Sequence, residues 1–375
     1  MKKKLLLFTL IPLLLLGPVS CTQNEGSGKV FLHFGKVHES KPERVSEISY
    51  DEISSLVEGD FKQSFAFVLS NEGCTCWKSF EPILAEFNYR YNLDIKHIDY
   101  TEFEKEGRNK YGLHIVGVET PSVAFFSNGS LIRQAIYRGA SKDIFTDTTG
   151  KEFEKFFFEN AVLPKMYYVA RSTLDSYIST NKDFNLYVAR SECGDCNTVN
   201  STILNDWNKN VESARNPLYI FDIQEYHPGR KPKKAEGESD EQYNAREDVI
   251  EYNRKNEIYQ GVKDQYGLST KNNPDLGFST GAVPTFQHRI GNVIDDMAVI
   301  LNDSLVSGTN NIVSSYFTAD RVSKMKFLEG TGTKYVLDGI ALKNDEIGRW
   351  GYPDNSAQVE RHRPILNLFL DKYTK

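Results

Sequence analysis

Phe184-Asn185-Leu186-Tyr187-Val188-Ala189-Arg190 runs into Ser191-Glu192-Cys193-Gly194-Asp195-Cys196, which ends in a closely spaced pair of cysteines. The part before the cysteines is mostly apolar, β-branched or aromatic, which predicts a strand. Behind them, Cys196 to Asn210 carries Val199, Ile203, Leu204 and Trp207 at helical spacing. The cysteine pair therefore sits on the turn from a strand into a helix. A thiol at a helix N-terminus faces unpaired backbone N–H groups and the positive end of the helix dipole, and both favour the thiolate. The first cysteine then becomes the attacking group, and the second resolves the mixed disulfide. The spacer lets the pair close a disulfide with little distortion of the helix. A C-x-x-C also reads as half of a zinc site, but no second C-x-x-C and no nearby His-x-x-x-His completes one.

Much later comes Gly281-Ala282-Val283-Pro284-Thr285-Phe286, followed by strand-like residues, a Gly291-Asn292 turn and Val293-Ile294. Together with the cysteine turn this resembles the thioredoxin superfamily. In that family an X-Pro step with a cis peptide bond lies beside the cysteine pair and presents backbone to the substrate chain. The resemblance implies Cys193 as nucleophile, Cys196 as resolving cysteine, and Val283 with Pro284 as the substrate-facing step, cis at the proline.

The first half reads the same way. Lys29 to Gly35 predicts a strand and Ser46 to Val57 a helix. Phe65 to Leu69 is a strand leading into Gly73-Cys74-Thr75-Cys76-Trp77, and Phe80, Ile83, Leu84, Phe87 and Tyr91 mark one face of a helix. Leu93 to Tyr100 is strand-like, and Glu102 to Tyr111 a charged helix. Thr120-Pro121 precedes a strand, an Asn128-Gly129 hairpin turn and its partner strand, and Lys151 to Leu163 closes the unit as a helix. The order β-α-β-α-β-β-α resembles thioredoxin with its N-terminal βα unit. Pro82 resembles the kink proline of the family's active-site helix, and counting back from it places Cys74 at the nucleophile position. Trp77 then holds the usual resolving position and Cys76 lies one residue short of it, while Gly73 stands where thioredoxins usually carry Trp. Thr120 and Pro121 fall at the substrate-facing step. Both halves lack the acidic residue that many thioredoxins bury beneath the cysteines; Val68 and Tyr187 stand roughly in its place.

The chain opens with Met1-Lys2-Lys3-Lys4 and an apolar run from Leu5 to Leu16, too short to span a bilayer and shaped as an export signal. Pro18-Val19-Ser20-Cys21 resembles a bacterial lipoprotein cleavage site with Cys21 as the lipidated residue, although Pro18 replaces the usual Leu. An ordinary cleaved signal leaving Cys21 as a thiol is the plainer alternative. With Cys21 assigned to lipid, the remaining four of the five cysteines form two close pairs, as exported proteins use them. A net charge of -6 without a long basic stretch argues against nucleic acid.

The expected organisation is α/β: a signal over 1–20, a tether over 21–28, thioredoxin-like units over 29–163 and 164–330, and a C-terminal extension over 331–375. Each unit is expected to hold a central mixed sheet flanked by helices. In the second unit, residues 225–282 form an insertion with a basic loop at His227 to Lys234. A long helix follows, with an apolar stripe of Val249, Tyr252, Tyr259, Val262 and Tyr266. Either the helix simply packs on its own sheet, or the loop before it, or Gly267 to Gly281, borders the cysteines and restricts which proteins approach. Val313 to Arg321 is expected to close the unit. Ser356 to Tyr373 reads as a further helix burying Ile365, Leu366, Leu368 and Phe369, without evident chemistry.

Function is expected to be thiol–disulfide exchange on exported client proteins, on the extracytoplasmic face of a bacterial membrane and held there by lipid. It calls for a redox partner and no cofactor. The alternatives are a surface lipoprotein that binds a protein or peptide with its disulfides as static staples, and a carrier of Cu(I), which thiolates suit. A disulfide across a single residue closes a small ring, so the first site is expected to be the more oxidising. Titration in glutathione buffers, with thiols alkylated and counted by mass, should give Cys74–Cys76 the higher potential; a value below that of Cys193–Cys196 sinks this expectation.

Overall fold

The computed structural model describes residues 28–59, 61–106, 110–139, 143–210, 216–268, 284–302, 312–318, 336–337, 340–341 and 356–374. The expected signal, Cys21 and the tether up to residue 27 lie outside them, as do Val283 and most of the stretch from Gly267 to Gly281. In chain order come β1 (Val30–Phe31), β2 (Phe34–Lys36), α1 (Tyr50–Glu58), β3 (Phe65–Ser70), α2 (Thr75–Tyr91), β4 (Lys96–Asp99), α3 (Tyr100–Glu106), β5 (Ser122–Ser127), β6 (Ser130–Ile136), α4 (Lys151–Asn160) and β7 (Ala161–Val162). The second half adds β8 (Met166–Tyr168), α5 (Arg171–Ser179), β9 (Asp183–Ala189), α6 (Gly194–Val199), α7 (Asn205–Asn210), β10 (Leu218–Asp222), α8 (Asp240–Asn244), α9 (Glu247–Gln265), β11 (Thr285–Ile290), β12 (Val293–Asn302), β13 (Ile312–Thr318) and α10 (Ser356–Thr374).

The first sheet has the order β4-β3-β5-β6, and the second β13-β12-β11-β9-β10-β8-β2. In each, the strand before the cysteines runs parallel to the strand after the cysteine helix and antiparallel to the strand after the proline. That is the thioredoxin arrangement. The chain is thus α/β, with two tandem thioredoxin-like units, the second carrying a long helical insertion and a C-terminal extension. The hairpin between β5 and β6 turns at Asn128 and Gly129, both at positive φ, as a tight primed turn requires.

Alternation along β9 sorts its residues into two cores. Tyr187 and Ala189 join Cys193, Cys196, Val199, Ile203, Leu204 and Trp207 on one face. Phe184, Leu186 and Val188 face Tyr259, Val262 and Tyr266 of the insertion on the other. Such a strand, covered on both faces, has no solvent side and so tolerates a nearly continuous apolar run. The insertion helix therefore packs on its own sheet.

Three expected elements differ. Lys29 to Gly35 is not a strand of the first sheet: Val30–Phe31 pairs with β7, and Phe34–Lys36 adds an edge to the second sheet beside β8. The place of a first strand beside β4 is reduced to a single bridge, Glu47 to His97. Ile312–Thr318 is a strand paired antiparallel with β12 rather than part of a closing helix. Its β-branched and aromatic content, Ile-Val-Ser-Ser-Tyr-Phe-Thr, suits a pleated surface. The closing position is taken instead by α10, whose Leu366, Phe369, Leu370 and Tyr373 join the core that holds the cysteines. Of the residues expected to be buried there, Leu366 and Phe369 are buried, Leu368 is 62% exposed, and the Ile365 side chain lies outside the described ones. Asn185 Nδ2 donates to the Tyr373 carbonyl at 3.0 Å, and the His288 ring stacks on Tyr373.

Residues 30–38 strap the two units together. Asn208 of α7 donates to the Leu32 carbonyl, and Lys36 N–H donates to the Asn92 carbonyl. His33, fully buried, accepts the Ser64 N–H at Nδ1 and therefore carries its proton on Nε2, which donates to Asn205 Oδ1 at 2.6 Å. Burial pulls its pKa below 6.5, with Lys209 adding to this and the bond to Asn205 opposing it. Protonation would cost the Ser64 bond and charge a dry site. A depressed folded-state pKa means that this stabilisation is complete above the unfolded value and is lost as pH falls through the folded one. Urea midpoints measured at about pH 7.5 and about pH 5 should fall at the lower pH, and less so in His33→Gln, which takes up no proton.

Candidate functional site

Strand β9 ends at Ala189, and a turn delivers Cys193 as the N-cap of α6. Cys193 N–H donates to the Arg190 carbonyl at 3.0 Å, and the Cys196 N–H points at Cys193 Sγ at 3.4 Å. The Cys193 sulfur thus receives the backbone donor that an N-cap side chain normally satisfies. Both cysteines are thiols, 6% and 1% exposed respectively. Burial pushes the Cys196 thiol well above its ordinary pKa, and the neighbouring Cys193 raises it further; the Arg190 backbone and the Tyr187 hydroxyl pull the other way. That asymmetry suits a resolving cysteine that stays protonated until a mixed disulfide forms beside it. After α6 the helix passes through a π turn, Asn200–Leu204, and continues as α7.

Around the pair stand residues that sequence reasoning did not assign to it. Tyr187 lies beneath Cys196, its ring stacked on Phe286 with centroids 4.4 Å apart and planes within 1°. Tyr259 of α9 is buried close enough to feel the charges of both thiols, which add to burial in raising its pKa to about 12 while Arg190 opposes them. His227 packs edge-on against Tyr259, and burial and Arg190 hold its pKa below 6.5. Gln224 Nε2 donates to Glu192 at 2.9 Å. The insertion therefore also borders the cysteine turn, through His227 and Tyr259, while its helix serves the core. No periodicity in the sequence signals this, because the groups meet only in the fold.

Pro284 is buried one step beyond the registered pair Thr285–Val188, at the end of β9 that leads to the cysteines. The Val283–Pro284 bond involves a residue outside the described ones. In the first unit the corresponding step is described: Thr120–Pro121 is cis, and the Thr120 carbonyl lies 3.1 Å from Cys76 Sγ. Cys74 caps α2 and is disulfide-bonded to Cys76, whose N–H donates to Cys74 Sγ at 3.2 Å. Asn71 Oδ1 accepts from Gly73 N–H, while its Nδ2 donates to the Gly117 carbonyl. Trp77 is buried against His97, its indole N–H without a partner. The structure thus brings Cys74, Cys76, Thr120 and Pro121 into one place, and Cys193, Cys196 and Pro284 to the same end of the second sheet. Among the described residues no three His, Cys, Asp or Glu side chains gather as metal ligands, and no helix is long and apolar enough to cross a membrane.

Comparison of the sequence with protein families and with curated proteins returns no match. Among solved structures, ERdj5 (form II) is 8% identical with a TM-score of 0.23, over 75% of this chain and 29% of that one. Human ERp44 (form I) is 9% identical with a TM-score of 0.21, over 49% of this chain and 45% of that one. Its zinc-bound form is 11% identical with a TM-score of 0.22, over 71% and 85%. At these scores the likeness carries no argument. The strand order does.

Different environments for the two thiols should show in their alkylation. Iodoacetamide applied to the native dithiol near pH 8 should modify Cys193 first, with Cys196 labelled fully only after unfolding. Peptide mapping of the labelled sites checks this, and equal labelling of both contradicts the asymmetry.

Proposed function

We propose that the protein is a thiol–disulfide oxidoreductase acting on disulfides of exported proteins. The observation that carries the reading is the Cys193–Cys196 arrangement. One thiol caps a helix at the end of the central strand, the other is buried in the first turn behind it, and Pro284 stands at the same sheet end. Cys193 attacks a client disulfide as the thiolate, and Cys196 releases the client by closing the intramolecular disulfide. In the first unit Cys74 and Cys76 act in the same sense, with the Thr120 carbonyl and Pro121 presented to the client chain.

The sequence supports placing this activity outside the cytoplasm: a basic start, a short apolar run and Cys21 form a lipoprotein-type signal, and the polar residues after it form a tether. The membrane is reached through lipid at Cys21, and a separate redox partner resets the cysteines.

The test is the redox equilibrium of residues 22–375 in glutathione buffers. At least one pair should titrate within the span of known exchange catalysts, about -120 to -270 mV. If both pairs remain oxidised well below about -300 mV, they are structural staples, and a protein-binding scaffold replaces the enzyme.

A further inference from the structure

Tyr187 is a buried polar group that the proposed chemistry has not used. Its side chain is fully buried and its hydroxyl finds no hydrogen-bond partner of normal geometry. A hydroxyl left without a well-formed bond in a core is destabilising, and phenylalanine would fill the same space without that cost. The ring is held rigidly: Tyr187 and Phe286 are registered neighbours on β9 and β11, stacked in parallel. It belongs to the same apolar cluster as Cys193 and Cys196, whose charges act on its hydroxyl.

We propose that Tyr187 is a positioning residue for the resolving step, its hydroxyl spent on no other group and held within reach of Cys196 so that it can donate a hydrogen bond to the Cys196 thiolate. This rests on the exchange activity proposed above. In the first half-reaction the Cys193 thiolate bonds to one client sulfur, the client S–S bond breaks, and the departing client thiolate takes up a proton. In the second, Cys196 gives its proton to solvent, attacks Cys193 Sγ and closes the intramolecular disulfide. The bond from Cys193 to the client breaks, and the second client thiolate is protonated in turn. Two electrons pass from the dithiol to the client. The only step that requires a thiolate in the dry core is the attack by Cys196, and there an O–H donor stabilises the charge without itself giving up a proton. A bond to a charged group is stronger than one between neutral groups.

The experiment is single-turnover exchange with oxidised glutathione, quenched in acid, with the Cys193–glutathione adduct followed by mass. Tyr187→Phe preserves the stack on Phe286 and removes only the hydroxyl. Formation of the adduct should proceed at the wild-type rate, its resolution should slow by about tenfold or more, and the pH profile of resolution should move to higher pH. Replacing Tyr187 by 3-fluorotyrosine, a stronger donor of the same shape, should speed resolution and carries the test if Tyr187→Phe does not fold. Unchanged resolution rates and pH profiles in both variants overturn the role of Tyr187 while leaving the exchange activity standing. A wild-type chain that never forms the Cys193 adduct overturns the exchange activity and this role with it.

Discussion

Burial of β9 on both faces is the constraint from which the second unit is built. A strand without a solvent side must be sorted residue by residue into two cores, and helices must cover both. One cover is the insertion helix α9, through Tyr259 and Val262; the other is the cysteine helix, assisted by Leu366, Phe369 and Leu370 of the last helix. Because the cysteine helix starts where β9 stops, the thiols are drawn into that core instead of being set upon it. Their chemistry follows from their position: one sulfur takes a backbone donor at the helix start, the other is desolvated behind it.

The first unit solves the same problem with aromatic mass. Phe80 meets Phe145 and Phe153 edge-on, and Phe87 meets Phe153 and Phe157 in the same way. Offset and edge-on contacts of this kind fix ring orientation as well as burying area. Trp77, the residue after Cys76, is sunk into this core, while the Cys76 sulfur lies against the Thr120 carbonyl.

Local order was legible in the sequence wherever it was long and periodic. The strand–cysteine–helix passage at Phe184 to Asn210, the helix starting beside Cys74, the Asn128-Gly129 turn and the insertion helix all follow from spacing that a chain shows along its own length. Val30–Phe31 and Phe34–Lys36 were not divisible that way, since strands of two and three residues exist only by virtue of partners at Ala161–Val162 and Met166–Tyr168. Ile312–Thr318 overlaps the stretch expected to close the unit as a helix, and pairing with β12 makes it a strand instead. The last helix was legible as a helix, but its closing role was not, because only the fold shows that Leu366 and Phe369 meet Phe286 and the thiols. Of the site, the cysteines and prolines could be read from motif, and the loop at His227 was one of two offered readings; Tyr259 could not, because in the sequence it is one member of an apolar stripe whose other residues serve the core.

The strap at residues 30–38 has a mechanical consequence. A pull on the chain from its N-terminal side meets β1 and β2 before it meets any other strand, and these two strands are fastened to different halves of the molecule. Load therefore meets the first unit at β1 and, a few residues on, the second unit at β2. His33 and Leu32 lie between the two strands and bond to Asn205 and Asn208 of the helix that continues from the cysteines. The route by which tension enters the protein thus ends on the continuation of the helix whose first turn carries its thiols.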